Sequence, residues 1–272
     1  MTRIKEKYAE LKNNNKKAFT AYICAGDPDY KTSLAILKNL PQAGADIIEL
    51  GIPFLDPAGD GPIIENASRR AINNGMNLRK TLNMVNEFRQ FDNKTPIVLM
   101  GYFNPILKYG IDKIFLDAKK AGVDGFLIVD LPFEEENEII QYIKQADIDL
   151  IQLIAPTTNK ERATKIVKNA SGFLYLISIL GITGTKDANP QHNIENVQKL
   201  RSISKLPIAI GFGIKTPEIA AKFCQLDIDG VVVGSTIVEI VEKSLQNKDS
   251  NTNLLNKINE TVRNFSNITK SI

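Results

Sequence analysis

The sequence predicts an α/β fold: a single (β/α)8 barrel of the TIM type, with an extra N-terminal helix and extra helices after the second and eighth strands. Three observations predict it. Eight short β-rich runs recur along the chain, each is followed by a helical pattern, and 272 residues is an ordinary length for one such barrel. A single domain over residues 1–272 is the organisation expected.

The β-rich runs are Ala18 to Cys24, Asp46 to Leu50, Ile97 to Met100, Phe126 to Val129, Leu150 to Leu153, Phe173 to Ile177, Ile208 to Ile210 and Val231 to Val233. They are apolar throughout, as strands buried on both faces must be, and the intervening helices supply the crossovers that parallel strands need. A doubly wound open sheet also alternates strand and helix, and the strand count is what favours closure. Ahead of the first strand, Ile4, Tyr8 and Leu11 share one helical face, placed to plug the barrel's N-terminal mouth. The interval from Leu50 to Pro96 is about twice the usual spacing, and Ile63 to Asn74 and Leu78 to Gln90 both read as helices broken at Gly75. After the eighth strand, Thr236 to Ile240 suits a short helix. Leu254, Leu255, Ile258 and Val262 then form the stripe of a last helix, followed by fraying.

Composition narrows the function. Hydrophobic residues at 43% and charged residues at 24% support a sizeable core. Lys and Arg total 34 against 31 for Asp and Glu, and no dense basic run is present to grip a nucleic-acid backbone. Cys24 and Cys224 lack metal-ligand or disulfide spacing, which points to a reducing compartment. No apolar run reaches membrane-spanning length, and Met1 to Leu11 carries Glu6 and Glu10 among its lysines instead of a signal-type apolar core. Without such a signal the acceptor patterns at Asn66 and Asn267 carry no weight. His192 is the only histidine and sits in a polar connection, so neither a serine–histidine triad nor a histidine metal cage is expected, and a solvated helix-start role is its plainer reading. Acid–base chemistry then falls to carboxylates, lysine, tyrosine or water.

In such a barrel the active site forms at the C-terminal ends of the strands. The segment from Ile47 to Pro62 is the most informative there. Strand alternation sets Ile47, Glu49 and Gly51 on one face, opposite Ile48 and Leu50. Facing inward, Glu49 would be a desolvated carboxyl with a raised pKa, fitted both to give and to take protons. The alternative is a structural glutamate paired with a basic neighbour, yet no Lys or Arg lies in the eight strand runs. Asp56 and Asp60 follow in a loop rich in Pro and Gly, where turn and helix-cap roles compete with catalysis. Late in the chain, Gly181 to Gly184, Gly211-Phe212-Gly213 and Gly234-Ser235 follow three consecutive strands. Glycines let an anion approach closely and free helix-start N–H groups bind it, so these ends suit a phosphate.

These residues carry a resemblance. From Tyr8 to roughly Lys243 the chain resembles the tryptophan synthase alpha subunits, through Glu49-Leu50-Gly51-Ile52-Pro53-Phe54, Asp56-Pro57 and Asp60-Gly61-Pro62. Gly26-Asp27-Pro28, Tyr102, Asn104-Pro105, Asp130, Pro132, Tyr175 and the late glycine pairs fall in register with it. The resemblance implies a retro-aldol cleavage of indole-3-glycerol phosphate to indole and glyceraldehyde 3-phosphate. It implies Glu49 as the proton-transferring group and Asp60 as the carboxylate facing the indole N–H. Tyr22, Met100, Tyr102, Leu127 and Tyr175 are the candidate walls, with plain core packing as the alternative for each. Thr183, Gly184, Gly211, Phe212, Gly213, Gly234 and Ser235 complete the substrate-binding set, and no metal site is implied. Ile179 to Asn189 has the composition of a lid that carries Thr183 toward the carboxylates, although a surface loop would look similar.

The resemblance further implies a tryptophan synthase beta subunit as partner, in an assembly of two alpha and two beta chains. Pyridoxal phosphate would sit on that partner, with no cofactor on this chain. Leu55 stands where the family usually has Ser, Ala58-Gly59 replaces a larger apolar residue followed by Ala, and Ile179-Leu180 is bulkier than usual. These departures bear on loop contacts and the partner interface, and leave Glu49, Asp60, Thr183 and the glycines intact. Three rival readings are a different phosphate-binding barrel, a non-catalytic activating subunit, and a stand-alone lyase releasing free indole. The first would lack the segment from Glu49 to Pro62, and the second would tolerate loss of Glu49 or Asp60. With many Asn, Lys and Ile residues suggesting an A/T-rich genome, the expected location is a cytoplasm or the stroma of a plastid encoding its own copy.

Overall fold

The computed structural model describes residues 2–178 and 189–271. Its strands are β1 (Ala18–Cys24), β2 (Ile47–Gly51), β3 (Ile97–Gly101), β4 (Gly125–Ile128), β5 (Asp149–Ile154), β6 (Leu174–Ile177), β7 (Ile208–Gly211) and β8 (Gly230–Val233). All neighbours pair in parallel and β8 closes on β1, forming a closed eight-stranded barrel. Each strand stands within two residues of its expected position.

Helix α1 (Arg3–Asn13) buries Ile4, Tyr8 and Leu11, as the shared face of these residues predicts. It is tied across the N-terminal end of the barrel by Arg3, which donates to Asp124 at 2.8 Å, and by Thr2, which donates to Asp149 at 2.7 Å. Aspartates at this end also finish the sheet. Asp46, Asp124 and Asp229 accept from the N–H groups of Phe19, Ile97 and Ile208, at the starts of neighbouring strands. Polar side chains at this end thus stabilise the barrel, and the opposite end is left for chemistry.

The outer layer contains α2 (Tyr30–Ala43), α3 (Pro62–Asn73), α4 (Leu78–Arg89), α5 (Phe103–Tyr109), α6 (Ile111–Ala121), α7 (Ile140–Ala146), α8 (Lys160–Val167), α9 (Ile194–Arg201), α10 (Pro217–Cys224), α11 (Ser235–Gln246) and α12 (Asn251–Lys270). Side chains of Asp29, Asn77, Asn159, Thr216 and Ser250 cap the helices that follow them, satisfying otherwise orphaned N–H groups. The paired helices α3 and α4 after β2, and α11 and α12 after β8, are the extra elements expected from the spacing.

Two features were not anticipated. After β3 the chain forms α5 before α6; with seven residues and Ile106 alone buried, α5 is too short to show a helical period. After β4 a 3-10 helix, Phe133–Glu138, precedes α7. The last helix, whose apolar stripe includes Leu254, Leu255, Ile258 and Val262, runs on to Lys270. Phe265 stacks on Phe19 at 5.8 Å, while Ser266 and Lys270 donate to the carbonyl of Gly44 at 2.8 and 3.1 Å, pinning the last turns to α2. Among the described residues no helix is long and apolar enough to cross a membrane.

Candidate active site

Register fixes which side chains meet inside the barrel. Tyr22 of β1 lies opposite Glu49 of β2, which lies opposite Val98 of β3. At the C-terminal end these strands open into a cavity. Its lining includes nine of the expected residues: Tyr22, Glu49, Asp60, Met100, Tyr175, Phe212, Gly213, Gly234 and Ser235.

Glu49 is only 2% exposed, and its Oε2 has no hydrogen-bond partner among the described residues. Burial first, and the Asp60 carboxylate second, push its pKa from 4.5 up to about 8. Near neutral pH Glu49 therefore holds a proton it can give. Asp60 closes the loop after β2, just before α3, and half-buried it faces the same cavity. Burial raises its pKa to about 6, the Tyr102 hydroxyl opposes the rise, and Glu65 adds to it. The two carboxyls thus separate into an acid and an anion around pH 7, the division of labour that acid–base chemistry needs. Asp56 is exposed in the same loop, in keeping with a turn role.

Two glycines make room for the aromatic walls. A Cβ on Gly51 would stand 2.7 Å from Cζ of Tyr22, and one on Gly211 would stand 2.7 Å from Cζ of Tyr175. Gly211 therefore works from behind the cavity, by letting Tyr175 lie across it. Tyr102 and Leu127 also stand outside the lining. Leu127 is buried opposite Met100 in the barrel wall, and Tyr102 reaches the site through its contact with Asp60. Thr183, Gly184 and the proposed lid from Ile179 lie outside the described residues, apart from Asn189 at its end. Ile64, Ile214 and Val232 line the cavity without having been singled out. Alternation from Gly234 back through β8 would have found Val232; Ile64 faces inward from the first turn of α3, where no motif marks it.

The far end of the cavity suits an anion. Among the described residues no side chain caps α11 after Gly234, and its first turn carries no acidic residue, an arrangement that suits an anion. Gly234 and Ser235 line the cavity there with Gly213, whose φ of 69° follows Phe212 at 73°, so two successive residues hold left-handed backbone. The Ser178 hydroxyl donates to the carbonyl of Phe212, and the Ser178 N–H donates to Gly211 at 2.9 Å, which fix this turn. His192 is exposed in a 3-10 helix (Pro190–Asn193). Among the described residues no three His, Cys, Asp or Glu side chains are grouped to hold a metal ion.

Two carboxyls and an uncapped helix start around one cavity meet a match over residues 8–270 to the family described as tryptophan synthase alpha chain. The chain belongs to that family. Its solved relatives agree throughout their length. The tryptophan synthase subunit alpha of Legionella pneumophila str. Paris is 36% identical, with a TM-score of 0.92 and 100% of both chains covered. An alpha chain from Legionella pneumophila subsp. pneumophila is 37% identical, with a TM-score of 0.90, covering 100% of this chain and 98% of that one. A Mycobacterium tuberculosis tryptophan synthase structure is 30% identical, with a TM-score of 0.88, covering 99% and 98%. As a tryptophan synthase alpha chain, this protein is a lyase of tryptophan biosynthesis that cleaves indole-3-glycerol phosphate. The family works with a beta subunit.

Proposed function

We propose that Glu49 and Asp60 carry this cleavage together, and the observation that carries the reading is two carboxyls lining one cavity, Glu49 buried there with its Oε2 unpartnered among the described residues. The neutral Glu49 carboxyl delivers its proton to indole C3. Positive charge then develops on the ring nitrogen, where the Asp60 carboxylate stabilises it through the N–H. The Glu49 carboxylate next takes the proton of the hydroxyl on the carbon attached to C3. The bond between that carbon and C3 breaks, its electron pair returns to the ring, and the hydroxyl carbon becomes the aldehyde of glyceraldehyde 3-phosphate. Glu49 ends protonated, ready for another turnover.

Tyr22, Met100, Tyr175 and Phe212 supply the apolar walls for the indole ring, while Gly213, Gly234 and Ser235 receive the phosphate at the start of α11. The expected roles of Thr183 and Gly184 belong to the same reading. The partner assembly is two alpha and two beta subunits, with indole passed to pyridoxal phosphate on the beta subunit and no cofactor on this chain. A reducing compartment, cytoplasm or plastid stroma, is supported by Cys24 and Cys224, both buried and free. Steady-state indole release, measured with and without a beta subunit, tests the assembly. Stimulation by the partner is expected, and equal rates at proven binding would mark a stand-alone lyase.

A further inference from the structure

Among the described residues, the loop that delivers Asp60 makes few hydrogen bonds through its backbone. Ile52 still bonds the sheet, donating its N–H to Met100 at 2.7 Å, and Glu65 N–H closes the first turn of α3 on Gly61 at 3.0 Å. Between them, among the described residues, the backbone of 53–60 is tied by one hydrogen bond, from Gly59 N–H to the Tyr102 hydroxyl at 3.2 Å. That same hydroxyl interacts with the Asp60 carboxylate. Tyr102 is itself well held. It is 3% exposed, it follows the last residue of β3, and its ring meets Phe54 at 5.4 Å. The next residue, Phe103, donates its N–H to Asp130 at 2.8 Å.

We propose that Tyr102 is a positioning residue for the cleavage: its hydroxyl accepts from the Gly59 N–H beside Asp60 and so holds the Asp60 carboxylate at the cavity wall. This rests on the reading of Asp60 as the anion that meets the indole N–H. It also explains why Tyr102, expected as a wall of the indole pocket, stands behind the lining instead. A hydroxyl has one proton and two lone pairs, so it can accept from an N–H and donate to a carboxylate at once. A carboxylate that accepts a hydrogen bond is favoured in its ionised form. Among the described residues, the other titratable groups facing Asp60 are Glu49 from β2, Tyr22 and Cys24 from β1, and Glu65 from α3, none of which carries a positive charge.

The test compares Tyr102→Phe, Asp60→Asn, the double variant and Phe54→Leu, using the full chain and pH profiles of kcat/KM for indole release. In Tyr102→Phe the acid limb is expected to move from about 6 to roughly 7, and kcat to fall roughly tenfold, with glycerol phosphate affinity unchanged. Phe54→Leu loses the ring contact but keeps both hydroxyl interactions, and should leave the limb in place. Tyr102→Phe should add nothing to Asp60→Asn, because it acts through that carboxylate. A strong loss in Asp60→Asn beside an unmoved acid limb in Tyr102→Phe would overturn the proposal alone. So would additive losses in the double variant, or a limb that shifts equally in Phe54→Leu. Full activity in Asp60→Asn would instead overturn the role of Asp60 itself.

Discussion

Replacing Glu49 by Gln should make the protein more stable relative to wild type as pH rises, while removing its activity. An unfolded chain ionises this carboxyl near its ordinary value of 4.5, whereas the folded protein keeps it protonated up to about 8. A folded-state pKa raised in this way gives a contribution that is fully present below 4.5 and is lost as pH climbs toward 8. At about 1.4 kcal/mol per pH step, the loss is roughly 3 kcal/mol by pH 7 and approaches about 5 kcal/mol above pH 8. Gln has no charge to desolvate and escapes it entirely. Packing changes and an unpaired amide shift the variant by the same amount at every pH, so the informative quantity is the gap in Tm between variant and wild type. From pH 5 to pH 8.5 that gap should move in favour of Gln by roughly 5 to 10 °C. Thermal melts across this range, monitored by circular dichroism, measure it. A gap that stays constant with pH would refute the burial of an ionisable Glu49.

Three further outcomes follow from the geometry. The profile of kcat/KM should be bell-shaped, falling below about 6 as Asp60 gains a proton and above about 8 as Glu49 loses one; a flat profile from pH 5 to 9 would separate these groups from catalysis. Gly51→Ala should raise KM by roughly tenfold by driving the Tyr22 ring into the cavity, and Tyr22→Leu added to it should recover most of the loss. Gly213→Val, which forces a β-branched residue to a φ of 69°, should weaken glycerol phosphate binding more than binding of an indole analogue, as calorimetry with both ligands would reveal.

The barrel was legible because its strands are buried on both faces, which leaves unbroken runs such as Ile97 to Met100 and Val231 to Val233 between helices. Glu49 was legible because alternation alone sets it with Ile47 and Gly51, and an inward carboxyl without a cationic neighbour in the strands has few structural uses. Asp60 was not decidable from spacing, since an aspartate before Gly61-Pro62 is also a good helix-cap residue; only the cavity and the Tyr102 contact separate the roles. Helix α5 escaped notice because a seven-residue turn leaves no period. The position of Tyr102 escaped for a different reason: an aromatic at a strand end looks alike whether its ring lines a pocket or its hydroxyl holds a loop. The last turns of α12 are largely polar in composition, and Ser266 and Lys270 use that polarity to bind the Gly44 carbonyl.

The most direct test of the central claim is the rate of indole release from indole-3-glycerol phosphate by Glu49→Gln, measured beside its affinity for glycerol phosphate. Gln keeps the shape of the side chain but cannot pass a proton to C3 or take one from the hydroxyl. The account predicts a rate reduced at least a thousandfold, on the order of the loss of a general acid–base group, with affinity within about twofold of wild type. Turnover near the wild-type rate, by a variant that binds glycerol phosphate normally, would contradict it.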